Sequence, residues 1–456
     1  MLMMHRNQNN KTLVRARSLV LFGALVLTIT TAPTFAQSCM PLPDTVAAQL
    51  PIGLVEARLP ACNREVIAAR RAAEAAGADR QIAGQRPNPT LTLGVNNINP
   101  KTGVGSGPLR DKAVDSSVRI DQLVERGDKG GLREQQADAN ILAAEADYFD
   151  ALRVQRAQVR ALFLELGYQQ SRSKVMREFA QLANDSLKAA EKRHALGDIA
   201  EIDLSRFRLD AARAENDARA AELDLAKARA DFARSIGADS QAAVIVVDTA
   251  LPAAAFNVSA ADVSAKSVAE RRADVMSANY RVSAAEAASA LARAISTRDI
   301  SFGAQFDRWP TTENNTQGTG NSFGFTVSIP LFVRHANEGE ARRASVELQS
   351  ARDVALRAVA VAESEVNVSS TAWISAADRA RRVERDLLPL AKRVAAAAEF
   401  AYLKGATSVL ELLDARRNLK QAELDAALAR ADTGKSWAAF VAATEPFPKS
   451  PSGVSQ

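Results

Sequence analysis

Glu411 and Asp414 stand three residues apart, a spacing that sets two carboxylates on one side of a helix. Grouped carboxylates attract cations, yet Asp414 is also three residues from Arg417, the spacing of an ordinary surface ion pair. The residues alone leave both readings open. Other reactive groups are scarce: three His, two Cys and 5% aromatics in 456 residues. His194 and His335 have no His or Cys close by in sequence, so they lack the spacing of a metal centre and read as structural or surface residues. No Ser/His/Asp or Cys/His arrangement with supporting context appears, nor a phosphate-cradling glycine loop before a helix, nor clustered metal ligands. The sequence therefore argues against an enzyme and calls for no cofactor.

The chain is 47% apolar and 24% charged, a foldable composition, with a formal charge of +5. Arg6, Lys11, Arg15 and Arg17 all lie in the first 36 residues, which contain no Asp or Glu; without those four, 54 basic residues face 53 acidic ones. Such a balance gives no broad field for gripping polyphosphate, so nucleic acid is not an expected partner. Residues 1–36 have the anatomy of a secretory signal: basic residues to Arg17, an apolar stretch Leu19 to Ile29, and Thr34-Phe35-Ala36 as the cleavage site. That stretch is too short to cross a bilayer as a helix, and no later segment approaches twenty uncharged apolar residues. Cys39 follows the cut, but Ala36-Gln37-Ser38 lacks the Leu of a good lipid-attachment signal. In an oxidising compartment Cys39 can bridge Cys62 and pin the N-terminal arm; unpaired thiols are the alternative.

One large duplication organises the rest. Leu91-Thr92-Leu93-Gly94 recurs as Ile300-Ser301-Phe302-Gly303, and Gly130 as Gly339, both 209 residues on. Gly197, Ile202, Leu204, Ala214-Glu215 and Phe232 recur as Gly405, Leu410, Leu412, Ala422-Glu423 and Phe440, 208 residues on. Each copy runs helix, two alternating segments, long helix, tight turn, long helix. The order predicts a signal at 1–36, a first repeat at 37–240, a connector at 241–267 with a short strand near Val244 to Val247, a second repeat at 268–445 and a tail at 446–456. In the first copy a helix over Arg64 to Ile82 stops near Gly84, before Pro87 and Pro89. Period-2 alternation predicts strands at about 90–97, 115–123, 299–307 and 322–330. A Gly/Pro-rich turn, Asn99 to Pro108, joins the first pair, and the polar Thr311 to Asn321 joins the second.

Leu132 to about His194 and Ala341 to about Lys404 hold no Gly or Pro except Gly167 and Pro389, and predict helices of about 95 Å. Leu204, Ala211, Ala218, Leu225 and Phe232 recur every seventh residue, as do Leu412, Leu419, Ala426, Thr433 and Phe440, the pattern of coiled-coil packing. Strands of nine or ten residues have the length to span a membrane, but four cannot close a barrel, so lipid-spanning segments would oblige several chains to share one. Two soluble hairpins capping a helical bundle fit the same alternation.

Several motifs carry a family resemblance over roughly residues 60 to 445. They are Arg86-Pro87-Asn88-Pro89 before the first strand, Gly130-Gly131-Leu132-Arg133 opening the first long helix, Val327-Ser328-Ile329-Pro330-Leu331-Phe332 ending the last strand, Tyr402-Leu403-Lys404-Gly405, and Leu410-Glu411-Leu412-Leu413-Asp414-Ala415. In their order and duplication the chain resembles the TolC family of outer-membrane efflux channels, and within it the CzcC-type branch that serves heavy-metal resistance-nodulation-division (RND) pumps. The resemblance implies a mainly α fold with membrane β structure. A homotrimer would pool its strands into a 12-stranded β-barrel in outer-membrane lipid, continued by a periplasmic α-helical barrel. It implies as partners a periplasmic adaptor (membrane fusion) protein and an inner-membrane RND pump, and a cargo of heavy-metal cations of the cobalt, zinc, cadmium or nickel type. It also implies site residues. Glu411 and Asp414 match the constricting acids of the pore, Asp203 and Tyr402 a gate contact between helices, and Gly197, Asp198, Gly405 and Thr407 lie in the turns that meet the adaptor. Thr407 departs from the basic residue of the best-known member. Apart from the resemblance, Trp309 at a strand end is the kind of residue found in a membrane-interface belt, a weak signal when single. An exit duct for organic compounds is an alternative, and so is a periplasmic coiled-coil adaptor or scaffold; an adaptor, however, should carry one central helical hairpin rather than two.

Overall fold

The computed structural model describes residues 39, 42–43, 49–96, 98, 114–248, 251, 255–256, 264–309 and 320–448, all within the unit Cys39–Gln456. The expected signal, the Asn99 to Pro108 turn and most of the Thr311 to Asn321 link lie outside the described residues, as does most of the tail.

Helix α1, Ile52–Cys62, has no counterpart among the predicted elements. It contains Pro60, a residue that disfavours helix interiors, and tertiary burial of Val55 and Leu59 holds it. Those two side chains join Leu50, Val159, Phe163, Leu166, Phe232, Ile236 and Ile245 in the largest apolar cluster. Each such side chain contributes about 1.5–3 kcal/mol when fully buried. Cys39 and Cys62 form a disulfide with Cα atoms 4.9 Å apart, so the Cys39 sulfur is neither free nor open to lipid attachment. Closing a loop of this length removes roughly 3 kcal/mol of chain entropy from the unfolded state.

Helix α2 spans Arg64–Ala83. The buried Asn63 caps it, accepting from the Glu65 and Val66 N–H groups while its Nδ2 donates to Gln155 and to the Ser235 carbonyl. Strands β1, Thr90–Asn96, and β2, Asp115–Val124, lead into α3, Lys129–Ala195, and α4, Glu201–Ser235. A 3₁₀ helix, Asp239–Val244, opens the connector, and in place of the short strand expected near Val244 to Val247 there is a single bridge, Val247 to Leu50, with the Leu50 N–H donating to the Val246 carbonyl. The second repeat comprises α5 (Ala265–Ala269), α6 (Ala273–Ala294), β3 (Ile300–Trp309), β4 (Gly320–Ser328), α7 (Glu338–Arg382), α8 (Leu388–Leu403) and α9 (Val409–Thr444).

The long helix expected over Ala341 to Lys404 is interrupted by a π turn, Val383–Leu387, where the Leu388 N–H reaches back to the Val383 carbonyl. Pro389 is the cause: it has no N–H to donate, and its ring clashes with the carbonyl four residues earlier unless the helix widens. The heptad seam of the first repeat is buried throughout, from Leu204 and Ala211 to Phe232. In the second repeat Leu412, Ala426 and Thr433 are buried, whereas Leu419 is half-buried and Phe440 stacks on Trp373 with ring centroids 5.0 Å apart.

All four strands join one antiparallel sheet in the order β1-β2-β3-β4, so β2 and β3 stitch the repeats together. The register sorts side chains cleanly by face. Leu93, Val118, Phe306 and Phe323 form one row, and Leu91, Ile120, Ala304 and Phe325 the next; between them run Thr92, Arg119, Gln305 and Gly324 on the opposite face. No described element covers the apolar rows, and Phe325 is 87% exposed. The outer edges of β1 and β4 are also unpaired. Below the sheet the helices form a wall in the order α4, α3, α9, α7–α8. Its two edge helices expose apolar residues at near-heptad spacing, Ile202 and Leu209 on α4 and Val354, Val361 and Val368 on α7. No described helix is long and apolar enough to cross a membrane.

Candidate functional site

The two helix-to-helix turns come together at the end of the wall far from the sheet. Ala190 of α3, Leu204 and Phe207 of α4, and Val409 and Leu413 of α9 form one buried cluster, with Tyr402 of α8 packed against it. Both turns use the same hydrogen bonds. Asp198 N–H donates to the Arg193 carbonyl and Gly197 N–H to that of His194; Ala406 N–H donates to Ala401 and Gly405 N–H to Tyr402. Six-to-one closure of this kind requires a left-handed residue, and the glycines supply it with φ of +79° and +73°. Gly197, Asp198 and Gly405 are exposed and Thr407 is half-buried.

The expected Asp203–Tyr402 contact does not form within the chain. Asp203 takes Arg206, one turn further along α4, at 2.9 Å, while the Tyr402 hydroxyl accepts from Arg193 at 3.2 Å. Arg193 also lies 5.7 Å above the Tyr402 ring, and that cation–π geometry competes better for the phenol than a carboxylate on the neighbouring helix. His194 Nε2 stands 3.0 Å from Glu201 across the first turn, and His335 is exposed.

Glu411 and Asp414 are both exposed. Glu411 has no ion-pair partner among the described residues; its N–H is capped by Ser408 Oγ. Asp414 pairs with Arg417 at 3.4 Å, as the local spacing allows, but Arg417 also reaches Asp210 of α4 at 3.3 Å. One turn away Lys420 binds Asp217 at 3.0 Å. These bonds and Arg193–Tyr402 link residues 203 to 209 apart, close to the repeat offset. Equivalent heights of the two hairpins therefore face each other. The offset was legible, and applying it to charged residues would have pointed to these pairs.

Higher on the wall, a groove of about 560 Å³ opens between α3, α9 and the π turn, lined in part by Lys174, Glu178, Glu384 and Glu423. Burial raises the pKa of the Glu423 carboxyl; Lys392 opposes the shift and Glu178 reinforces it. Trp309 closes β3, partly exposed, its indole N–H donating to Ser322.

Residues 265–444 match the outer membrane efflux protein family. No curated protein sequence is significantly similar to the chain. A membrane protein from Pseudomonas aeruginosa superimposes with a TM-score of 0.73 at 18% identity, covering 90% of this chain and 92% of that one. The outer-membrane channel CmeC of Campylobacter jejuni gives 0.72 at 15% identity over 86% and 85%. The outer membrane protein VceC of Vibrio cholerae gives 0.68 at 16% over 87% and 96%. Family match and fold agree on an outer-membrane location with the helices extending into the periplasm. The second repeat is thus similar to the outer membrane efflux protein family, and the described chain has the fold of TolC-like outer-membrane channels.

Proposed function

We propose that three copies of this chain form the exit duct of a tripartite efflux system, passing cargo from an inner-membrane RND pump and its periplasmic adaptor across the outer membrane. One observation carries the reading: a four-stranded sheet with an uncovered apolar face and two open edges continues into a helical wall whose two edge helices each leave apolar side chains uncovered. A soluble hairpin would hide such a face, whereas a lipid-embedded cylinder built from three copies uses it and pairs every edge. Purified chain in planar bilayers should give discrete conductance steps. A monodisperse monomer without pore activity, or release from outer membranes by salt, would favour the scaffold reading instead.

Within that duct Glu411 and Asp414 form the acidic constriction. Their exposure and the missing cationic partner of Glu411 support this role. Replacing both with Ala should lower the cation preference of the single-channel current, and unchanged selectivity would remove the ring from the account. Exposed turns at Gly197 and Gly405, open around each glycine Cα, suit docking of the adaptor tip. Heavy-metal cations are the cargo favoured by the motif resemblance. Metal and organic-solute resistance of a deletion strain complemented by this chain distinguishes that cargo from organic compounds.

A further inference from the structure

Each strand meets the helical region through an arginine: Arg86 before β1, Arg126 after β2, Arg298 before β3 and Arg334 after β4. All four are exposed, and none has a carboxylate partner among the described residues. Their neighbours at the same junction are paired, Lys129 with Asp299 at 2.8 Å and Arg133 with Glu125 at 2.6 Å, so those two acids are already committed.

Two of the arginines lie just beyond the end of the β2–β3 ladder. The β2–β3 register ends at Val124 opposite Ile300. Continued by one same-face step, that register would bring Arg126 opposite Arg298 on the side of the apolar rows, and the Arg126 N–H, which donates to the Asp299 carboxylate, holds the two segments together there. Like charges in cross-strand positions repel unless an anion lies between them. Arg298 stands 5.7 Å above the Phe332 ring, which brings the segment after β4 alongside. In that segment Leu331 and Val333 are 71% and 83% exposed, so uncovered apolar side chains continue beyond the sheet as far as Arg334. An apolar surface that terminates in long cationic side chains is suited to the depth where acyl chains give way to phosphate.

We propose that Arg126, Arg298 and Arg334 bind the phosphates of anionic phospholipid headgroups at the periplasmic boundary of the outer membrane, with Arg86 extending the site along β1. The inference rests on the sheet spanning that membrane, as proposed above. Its test is a titration of the full chain, purified in uncharged detergent, with phosphatidylglycerol while the thermal unfolding midpoint is followed. The midpoint of the unaltered protein should rise with lipid. In the triple variant Arg126→Gln, Arg298→Gln, Arg334→Gln the half-saturating concentration should increase about a hundredfold, roughly fivefold per arginine. Lys188→Gln, an exposed cation on α3, should leave it unchanged. If the triple variant elutes differently from the unaltered protein, single Arg298→Gln and Arg334→Gln variants carry the test, each with a shift of about fivefold. Equal half-saturation in the unaltered and substituted proteins would overturn the site, and so would an equal midpoint rise with inorganic phosphate, which would mark a free-anion site. Salt extraction of the unaltered chain from outer membranes would instead overturn the channel reading itself.

Discussion

The two helical hairpins end in the same turn but reach it differently. In the first, α3 runs 67 residues without a break. In the second, the equivalent length is divided by a π turn ahead of Pro389. Apolar seams and turn hydrogen bonds repeat between the copies, whereas the polar residues around them do not. The first tip offers Arg193, His194 and Glu201, and the second offers Tyr402 and the Ser408 cap. What repeats is what each hairpin needs in order to stand. What differs is what lets the two hairpins bind each other, because Arg193 and Tyr402 serve the contact only by being unlike.

The sharpest way to break this comparison is at the seam. Leu204 and Leu412 occupy the same place in the two repeats and are each 2% exposed. Leu204→Ala and Leu412→Ala should each cost about 2–5 kcal/mol, and by similar amounts, in denaturant titrations of the solubilised protein. A marked difference between them would mean that the copies do not share one packing scheme. Next come the turns. Gly197→Ala and Gly405→Ala place a Cβ where no atom lies within 4 Å, so only the left-handed backbone is penalised. Each should cost roughly 1–2 kcal/mol. A larger loss at either would reveal a contact made only in the assembled state.

Much of this architecture was legible because duplication, alternation and heptads are periodic and survive without knowledge of the fold. Alternation at Leu91, Leu93 and Val95 marked a strand with one apolar face, and the register carried the Leu91 and Leu93 rows as apolar rows across all four strands. The tight turns announced themselves through Gly197 and Gly405. Non-periodic features were not legible. Helix α1 exists because Val55 and Leu59 find Phe163 and Phe232, a long-range burial that overrides Pro60. At the tip, local spacing identified Asp414 with Arg417, and only the repeat offset, applied to charged residues, leads to the second partner of that guanidinium, Asp210, 207 residues away. Arg272 is a stronger instance: an arginine 1% exposed, held by Asp274 and Glu365 at 2.7 Å each, with no local signal that it lies inside.

The smallest expected effect tests the groove beside the π turn. Glu215 and Glu423 are repeat equivalents, 208 residues apart. Glu215 pairs with Arg219 at 3.0 Å on an exposed face. Four residues after Glu423 the chain has Ala427, so the second carboxyl lies in the groove without that partner, with its pKa raised by burial. A raised folded-state pKa means that ionisation is less favourable in the folded chain than in the unfolded one. The destabilisation is absent below the ordinary glutamate range, grows as pH climbs through the raised value and is complete above it. Glu423→Gln should therefore raise the unfolding midpoint modestly at pH 7 to 8, by less than the glycine substitutions lower it, and the gain should vanish below about pH 4. Glu215→Gln, which removes an exposed pair worth about 0–1 kcal/mol, should show no such gain at neutral pH. If both variants gave the same pH profile, the groove would be as wet as the exposed surface that carries Glu215, and burial there would have no electrostatic consequence for Glu423.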